Sequence, residues 1–533
     1  MAGTYNRLWL LLTGLIVLGL LLAAHASAAE PGVPKPKTGG ILIQACDKEP
    51  PSLDPLQEGT IYMLMYVASQ YNGLLQYDPL ENTKIVGDLA KSWKFSGDGR
   101  TITFKLHEGV KWHDGKPFTA EDVIYTLSRT KDPPKGIASP RKIQFASIEK
   151  MEAPDANTFV LTTKVPNPSI LGVLAQGWTV ILPKHVMEAK GDMKKDVVGT
   201  GPFKFKKYIR GTSYEVVKNP DYFIKGRPYL DGIKWYVVPD MSAYVAAFKA
   251  HQINLLAGIP YIYKSHAEEI KAAVKDVQVQ TGQMVIQNVL WMNTEKKPWD
   301  DVRVRRAAWL AVDRQAANTV LAEGDGSHGL MLAPEGKWGL PTAEILKLPG
   351  YRQPKGEDLA EAKKLMVQAG YAAGVDVVMD SRVGDTDERR ATFLKDQLGK
   401  IGIRATIRLN EIAKMYQIVN AYTYNCVAYP NSLSMDDPDD CFSRYWLPGA
   451  QWNRARLKDP KLDEMHARQS RTMDVAQRKK LVRELEDYVV AQYPAVVLFW
   501  TWQYGCAWPE VKNWKLGYGQ YNNLKYQDVW LDQ

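Results

Sequence analysis

Trp112-His113-Asp114-Gly115-Lys116-Pro117-Phe118-Thr119-Ala120-Glu121-Asp122-Val123 is the stretch on which the reading of the fold turns. Just upstream, Trp93-Lys94-Phe95 leads into Gly97-Asp98-Gly99, and Ile102, Phe104 and Leu106 then alternate with Thr101, Thr103 and Lys105. Period-two alternation around an Asp-Gly turn predicts a hairpin over 93–106. From Phe118 the period changes. Thr119 stands as an N-cap with Asp122 three residues on, a variant of the capping box, and Phe118 and Val123 are spaced as a hydrophobic staple. Val123, Ile124 and Leu127 then make one apolar helix face.

Outward from this stretch the chain stays mixed. Ile41–Ala45 reads as a first strand, closed by the turn-rich Pro50-Pro51-Ser52-Leu53-Asp54-Pro55. A strand-rich middle follows at Phe159–Thr163, Phe203–Tyr208 and Ile233–Val238, with a tight turn at Gly199-Thr200-Gly201-Pro202. That turn lacks the G-x-x-x-x-G-K pattern of a phosphate cradle. The second half alternates strands with helices predicted at Asp301–Leu321, Leu359–Ala369, Asp387–Leu398 and Ala476–Tyr488. Gly402 ends one helix and leads into a strand over Arg404–Leu409. A chain of 533 residues exceeds one ordinary core, so an α/β protein of two or more lobes is expected.

Composition narrows the function. The chain is 45% hydrophobic and 24% charged, as a globular protein is. Its net charge of +9 is scattered rather than gathered into a basic stripe, so no nucleic-acid partner is expected. Sixteen Trp and twenty-seven Tyr suit either a cleft lining or a packed core. Arg7, the apolar run Leu8–Leu22 and Ala26-Ser27-Ala28 read as a secretory signal peptide over 1–28. No cysteine closely follows the run, so a periplasmic protein without a lipid anchor is expected. Four cysteines permit two bridges in an oxidising compartment, Cys426 with Cys441 being the shorter loop; four buried thiols are the alternative. Neither zinc spacing, nor G-x-S-x-G, nor H-E-x-x-H occurs, so no cofactor and no enzymatic chemistry is expected, a secreted hydrolase being the alternative.

The signature stretch resembles that of the family 5 extracellular solute-binding proteins, the dipeptide, oligopeptide and nickel receptors of ABC importers. Gly199-Thr200-Gly201-Pro202-Phe203 with Asn219-Pro220-Asp221-Tyr222-Phe223 resembles a second family block. Asn293-Thr294, then Pro298 to Ala307, then Ala311-Val312-Asp313-Arg314 resembles a third. His107 departs from the basic residue usual at its place. The resemblance implies a periplasmic-binding-protein-like fold of type II, cluster C-like, with two hinged lobes and an inserted third. Lobe I would comprise 29–62, 197–285 and 499–533, lobe II 63–196, and lobe III 286–498. It implies a monomeric receptor that captures a small solute by hinge closure and delivers it to permease subunits.

The resemblance also locates a pocket. The family's amine-binding Asp, four residues before the Pro of an Asp-Pro turn, corresponds here to Ser434, and the preceding Trp position to Asn431. A hydroxyl lacks the charge a buried ammonium needs. Arg382 falls within a residue of the place where the family has a carboxylate-binding Arg, and an Arg fork matches a carboxylate. Thr60, Tyr62, Trp291, Asn293 and Trp446 complete the expected wall. These residues imply a peptide-like or acidic organic solute. A nickel chelate is the alternative ligand, although the eight His are too dispersed for a cage and His107 and His113 read as structural.

Overall fold

The computed structural model describes residues 35–533 except 82, 138, 335, 451 and 518–523. The expected signal peptide lies outside the described residues. The signature stretch folds as its pattern dictates. Strands Ala90–Phe95 and Thr101–Leu106 pair antiparallel, with Trp93 opposite Phe104 and Phe95 opposite Ile102. The helix Ala120–Lys131 follows. Thr119 N donates to Asp122 Oδ2 at 2.9 Å, and Phe118 and Val123 are buried together with Trp112.

His113 ties this unit to the Gly-Thr-Gly-Pro turn. Its backbone N donates to Gly199 O (2.8 Å), its Nδ1 accepts from Gly199 N (3.3 Å), and its Nε2 lies 3.1 Å from Gly201 O. That pattern requires a neutral ring protonated at Nε2. Burial holds the ring down to about 4, against an ordinary value of 6.5. The folded state therefore binds fewer protons than the unfolded chain over that interval. The stabilisation is complete above pH 6.5 and is lost as pH falls towards 4. Urea unfolding of wild type and H113Q at pH 7 and near pH 4 should show their difference shrinking by about 3 kcal/mol as pH falls. Asp436 and Glu486, pushed by burial to about 6 and about 7, act oppositely, so the difference between the two proteins is the informative quantity. A pH-independent difference would refute the role.

Three sheets organise the chain. In the first, Ile41–Cys46 runs parallel to Gly232–Val237, which continues antiparallel through Ser213–Lys218 to Phe203–Ile209. The second, antiparallel, is Ala90–Phe95, Thr101–Leu106, Thr158–Thr163 and Ile148–Asp155. Its strands thus fall between the first strand of the first sheet and that sheet's remaining three. The third sheet is built on two long antiparallel strands, Gln278–Met292 and Ala495–Ala507. Leu255–Leu256 joins them near the Ala507 end; Cys426–Ala428, Val375–Arg382 and Ile403–Asn410 extend the sheet from the Met292 end. Fifteen residues of strand span about 50 Å, so one ladder connects two distant regions. The ladder shifts register between Gln283 and Gln287, and again between Asn288 and Val289.

Two expectations are corrected. The helix predicted over Asp301–Leu321 is two helices, Val302–Ala311 and Arg314–Ala322. Asp313 takes an extended backbone and its carboxylate caps the second helix by accepting from Ala316 N (3.0 Å), which halts the first. The Cys426–Cys441 bridge is absent: all four cysteines are free and buried. Cys426 Sγ approaches Val378 O (3.5 Å) in the sheet, whereas Cys441 Sγ approaches Met331 O (3.1 Å), so the two thiols are directed to different backbones. Among the described residues, no helix is long and apolar enough to cross a membrane.

Candidate functional site

The eight expected wall residues divide between scaffold and a polar cluster. Thr60 is exposed at the N-terminus of the helix Ile61–Val67, its N–H donating to Glu58 Oε1 (2.8 Å). Tyr62 is half-buried; its hydroxyl donates to Asp47 Oδ2 (3.3 Å) and Lys48 Nζ lies 5.5 Å from its ring. Asn293 is fully buried. Its Nδ2 donates to Tyr422 O and Tyr424 O and its Oδ1 accepts from Glu295 N, so every polar atom is committed to joining two turns. Trp446 is fully buried against Trp291, their rings 4.8 Å apart.

Trp291, Arg382 and Asn431 converge on two residues that sequence reasoning passed over, Tyr429 and Arg454. Strand Gln278–Met292 supplies Gln287 and Trp291, and Asn431 pairs beside it at Gln287. Trp291 Nε1 donates to Tyr429 O (3.0 Å). Arg454 Nη1 donates to Asn431 Oδ1 (2.7 Å), and its guanidinium lies over the rings of Tyr429 (4.7 Å), Tyr445 (5.6 Å) and Trp291 (5.8 Å). Arg382 approaches Tyr429 as well, at 5.2 Å. Its Nε donates to Asp387 Oδ2 (2.8 Å), the same carboxylate that binds Arg390 Nη1 (2.6 Å). Two guanidiniums thus share one carboxylate, and with Arg454 the surroundings of Tyr429 are net cationic. No local pattern announces Arg454. It sits in the irregular Asn453-Arg454-Ala455-Arg456, and the aromatic run Tyr445, Trp446, Trp452 before it is the single available hint.

Ser434 sits on an ion pair. Its N–H donates to Asp440 Oδ2 (2.5 Å) and its Oγ accepts from Arg444 Nη1 (2.8 Å), which also binds Asp440 Oδ1 (2.9 Å). The carboxylate nearest this position is therefore already neutralised by Arg444. Beyond it, Asp436, Asp437, Lys337, Trp338 and Arg478 border a cavity of about 270 Å³ that Tyr77, Phe95 and Gly172 also line. Among the described residues no group of His, Cys, Asp and Glu is placed to hold a metal ion.

Guanidiniums, aromatic faces and fixed amides are groups with which binding proteins hold polar solutes. The profile of the bacterial extracellular solute-binding proteins, family 5, matches residues 84–453. The glutathione-binding protein GsiB of Escherichia coli K12 is 26% identical over 500 residues, covering 91% of this chain and 92% of its own. Among solved structures, the binding protein AgaA from A. tumefaciens R10 in complex with agropinic acid superposes with a TM-score of 0.76 at 26% identity, covering 93% of this chain and 99% of its own. DppA of Helicobacter pylori in complex with the peptide STSA gives 0.77 at 23% identity, with the same two coverages, and supports the fold. The chain belongs to family 5 of the bacterial extracellular solute-binding proteins, the solute receptors of ABC importers.

Proposed function

We propose that the protein captures a small acidic or peptide-like solute and hands it to the permease subunits of an ABC importer, without turning it over. The observation that carries the acidic reading is the positive charge around Tyr429, which two guanidiniums flank. At Ser434, where the family binds an ammonium, the nearby Asp440 is already paired with Arg444, so no free carboxylate is offered to an amine. The relatives at 26% identity support it: one is named for glutathione, which carries carboxylates at both ends, and the other is bound to agropinic acid. The reading includes an exported, periplasmic monomer with lobes I, II and III as delimited above. The limits 285/286 and 498/499 fall within the two long strands. The register shifts at Gln283–Gln287 and Asn288–Val289 are then the natural place for a hinge, because interrupted ladders bend more readily.

Calorimetric titration against glutathione, agropinic acid and a neutral free dipeptide tests the chemistry. An acid should bind with micromolar or tighter affinity, about 8 kcal/mol, and raise the melting temperature. The dipeptide should bind at least tenfold more weakly, a difference of about 1.4 kcal/mol. Tighter binding of the dipeptide, or catalytic conversion of any of the three, refutes the reading.

A further inference from the structure

Six arginines are more than nine-tenths buried among the described residues: Arg141, Arg305, Arg314, Arg390, Arg454 and Arg478. Buried guanidiniums persist only when compensated. Arg390 and Arg478 are ion-paired with Asp387 and Asp437. Arg141 donates to the carbonyls of Pro55, Leu56 and Glu58, Arg305 to those of Trp299, Asp300 and Gln492, and Arg314 to those of Trp309, Val312, Gly350 and Val497. Arg454 has neither a carboxylate nor a set of carbonyls. Among the described residues its guanidinium makes a single hydrogen bond, to Asn431 Oδ1, and its buried Nε has no partner; Arg314 Nη2 is also without one, but the rest of that group is held by four carbonyls. Aromatic faces at 4.7–5.8 Å attract a cation but supply no counter-charge.

We propose that Arg454, rather than Arg382, is the residue that anchors the solute's carboxylate. This deepens the acidic-solute reading and rests on it. With Nη1 held by Asn431, the Nε–Nη2 edge is left as the fork that receives both oxygens of a carboxylate. The edge is positioned in advance. Asn431 Nδ2 donates to Gln287 Oε1 (2.9 Å), and Gln287 Nε2 donates to Leu330 O (3.1 Å) and Met331 O (2.8 Å). Asn431 is thus a positioning residue, acting through Arg454. Arg382, also in contact with Tyr429, already shares Asp387 and contributes field more than a bond.

The test compares wild type with R454M, R382M and R305M. Two measurements are made: melting without solute, and titration with glutathione, its carboxyl-esterified form and succinate. R454M should melt at or above wild type, since an uncompensated charge has been removed, whereas R305M should melt well below it. Affinity for the free acid should fall about 100-fold in R454M and less than about fivefold in R382M. If R454M melts as low as R305M, Arg454 is structural and the assignment fails. If R454M binds the acid as wild type does, the assignment fails while the acidic reading stands. If wild type binds the ester as tightly as the acid, the acidic reading itself falls. Should none of the three probes bind, the solute-free melts still decide: R454M at or above wild type supports the assignment, and R454M beside R305M overturns it.

Discussion

Gly199→Ala should prevent the chain from reaching a stable native state. A Cβ at this position would lie 1.8 Å from Gln70 O, 2.8 Å from Gln70 C and 2.9 Å from Tyr71 Cδ1. The obstacle is backbone, so no rotamer change relieves it. Gly201 presses on the same place, its Cβ position 2.4 Å from Gln70 C and 2.5 Å from Tyr71 N. The close approach is held by Gly201 N donating to Gln70 O (3.0 Å) and by the His113 contacts on the other side of the turn. Neither shift of the turn nor shift of residues 70–71 is free, because Gln70 also donates to Tyr214 OH (2.9 Å). Overpacking against backbone on both sides should cost more than about 4 kcal/mol. Gly97→Ala is the control. Nothing lies within 4 Å of its Cβ position, and a surface change of that kind stays within about 0.5 kcal/mol. Soluble yield and urea unfolding check both; a G199A protein that unfolds with the wild type would remove the turn from its place in the fold.

The turn was legible in the sequence as a turn, but its reason was not. Gly199 and Pro202 show where the chain bends; that Gln70 lies against it is a long-range fact. The capping box at Thr119 and Asp122 was readable because both partners lie within four residues. The break at Asp313 was missed because Ala311-Val312-Asp313-Arg314 keeps helical apolar spacing across the stop, and the competing cap bond depends on how the second helix packs. Residue type also failed to tell cleft from core. Trp446 and Asn293 are fully buried, as are Trp291 and Asn431, since large rings and amides serve both places. Register along the third sheet brought Trp291, Arg382 and Asn431 together around Tyr429 and Arg454. Arg454 escaped notice because what marks it is a missing partner, and a missing partner exists only in three dimensions.

Arg478→Met is the second large effect. Arg478 is 3% exposed and joins segments far apart in sequence. Its Nη2 donates to Asp437 Oδ1 (2.8 Å) and Ser169 Oγ (2.9 Å), its Nη1 to Asp437 Oδ2 (3.1 Å), and its Nε to Gln469 Oε1 (3.0 Å). Ser169 Oγ lies 2.9 Å from Asp437 Oδ1 and 2.6 Å from Asp439 Oδ2. Methionine fills the stem but leaves Asp437 without its cation and Asp439 with His466 alone. Removing one partner of a buried pair costs about 3–5 kcal/mol, mainly through the stranded charge. The double variant R478M/D437N should therefore be more stable than R478M, since it removes that charge as well. Burial raises the Asp439 carboxyl, but His466, Arg478 and Ser169 outweigh it and hold the group below the ordinary carboxylate range. In wild type, that stabilisation is present above the unfolded value near 3.8 and lost only as pH falls below it. In R478M both carboxyls lose the attraction of Arg478 and titrate higher, Asp437 from a value that burial already raises, so the deficit should narrow between pH 7 and 5. Chemical denaturation at both pH values measures it. A deficit below about 1 kcal/mol would show the network to be as weak as an exposed pair. A deficit that D437N deepens would mean Arg478 acts through packing, with the charge incidental.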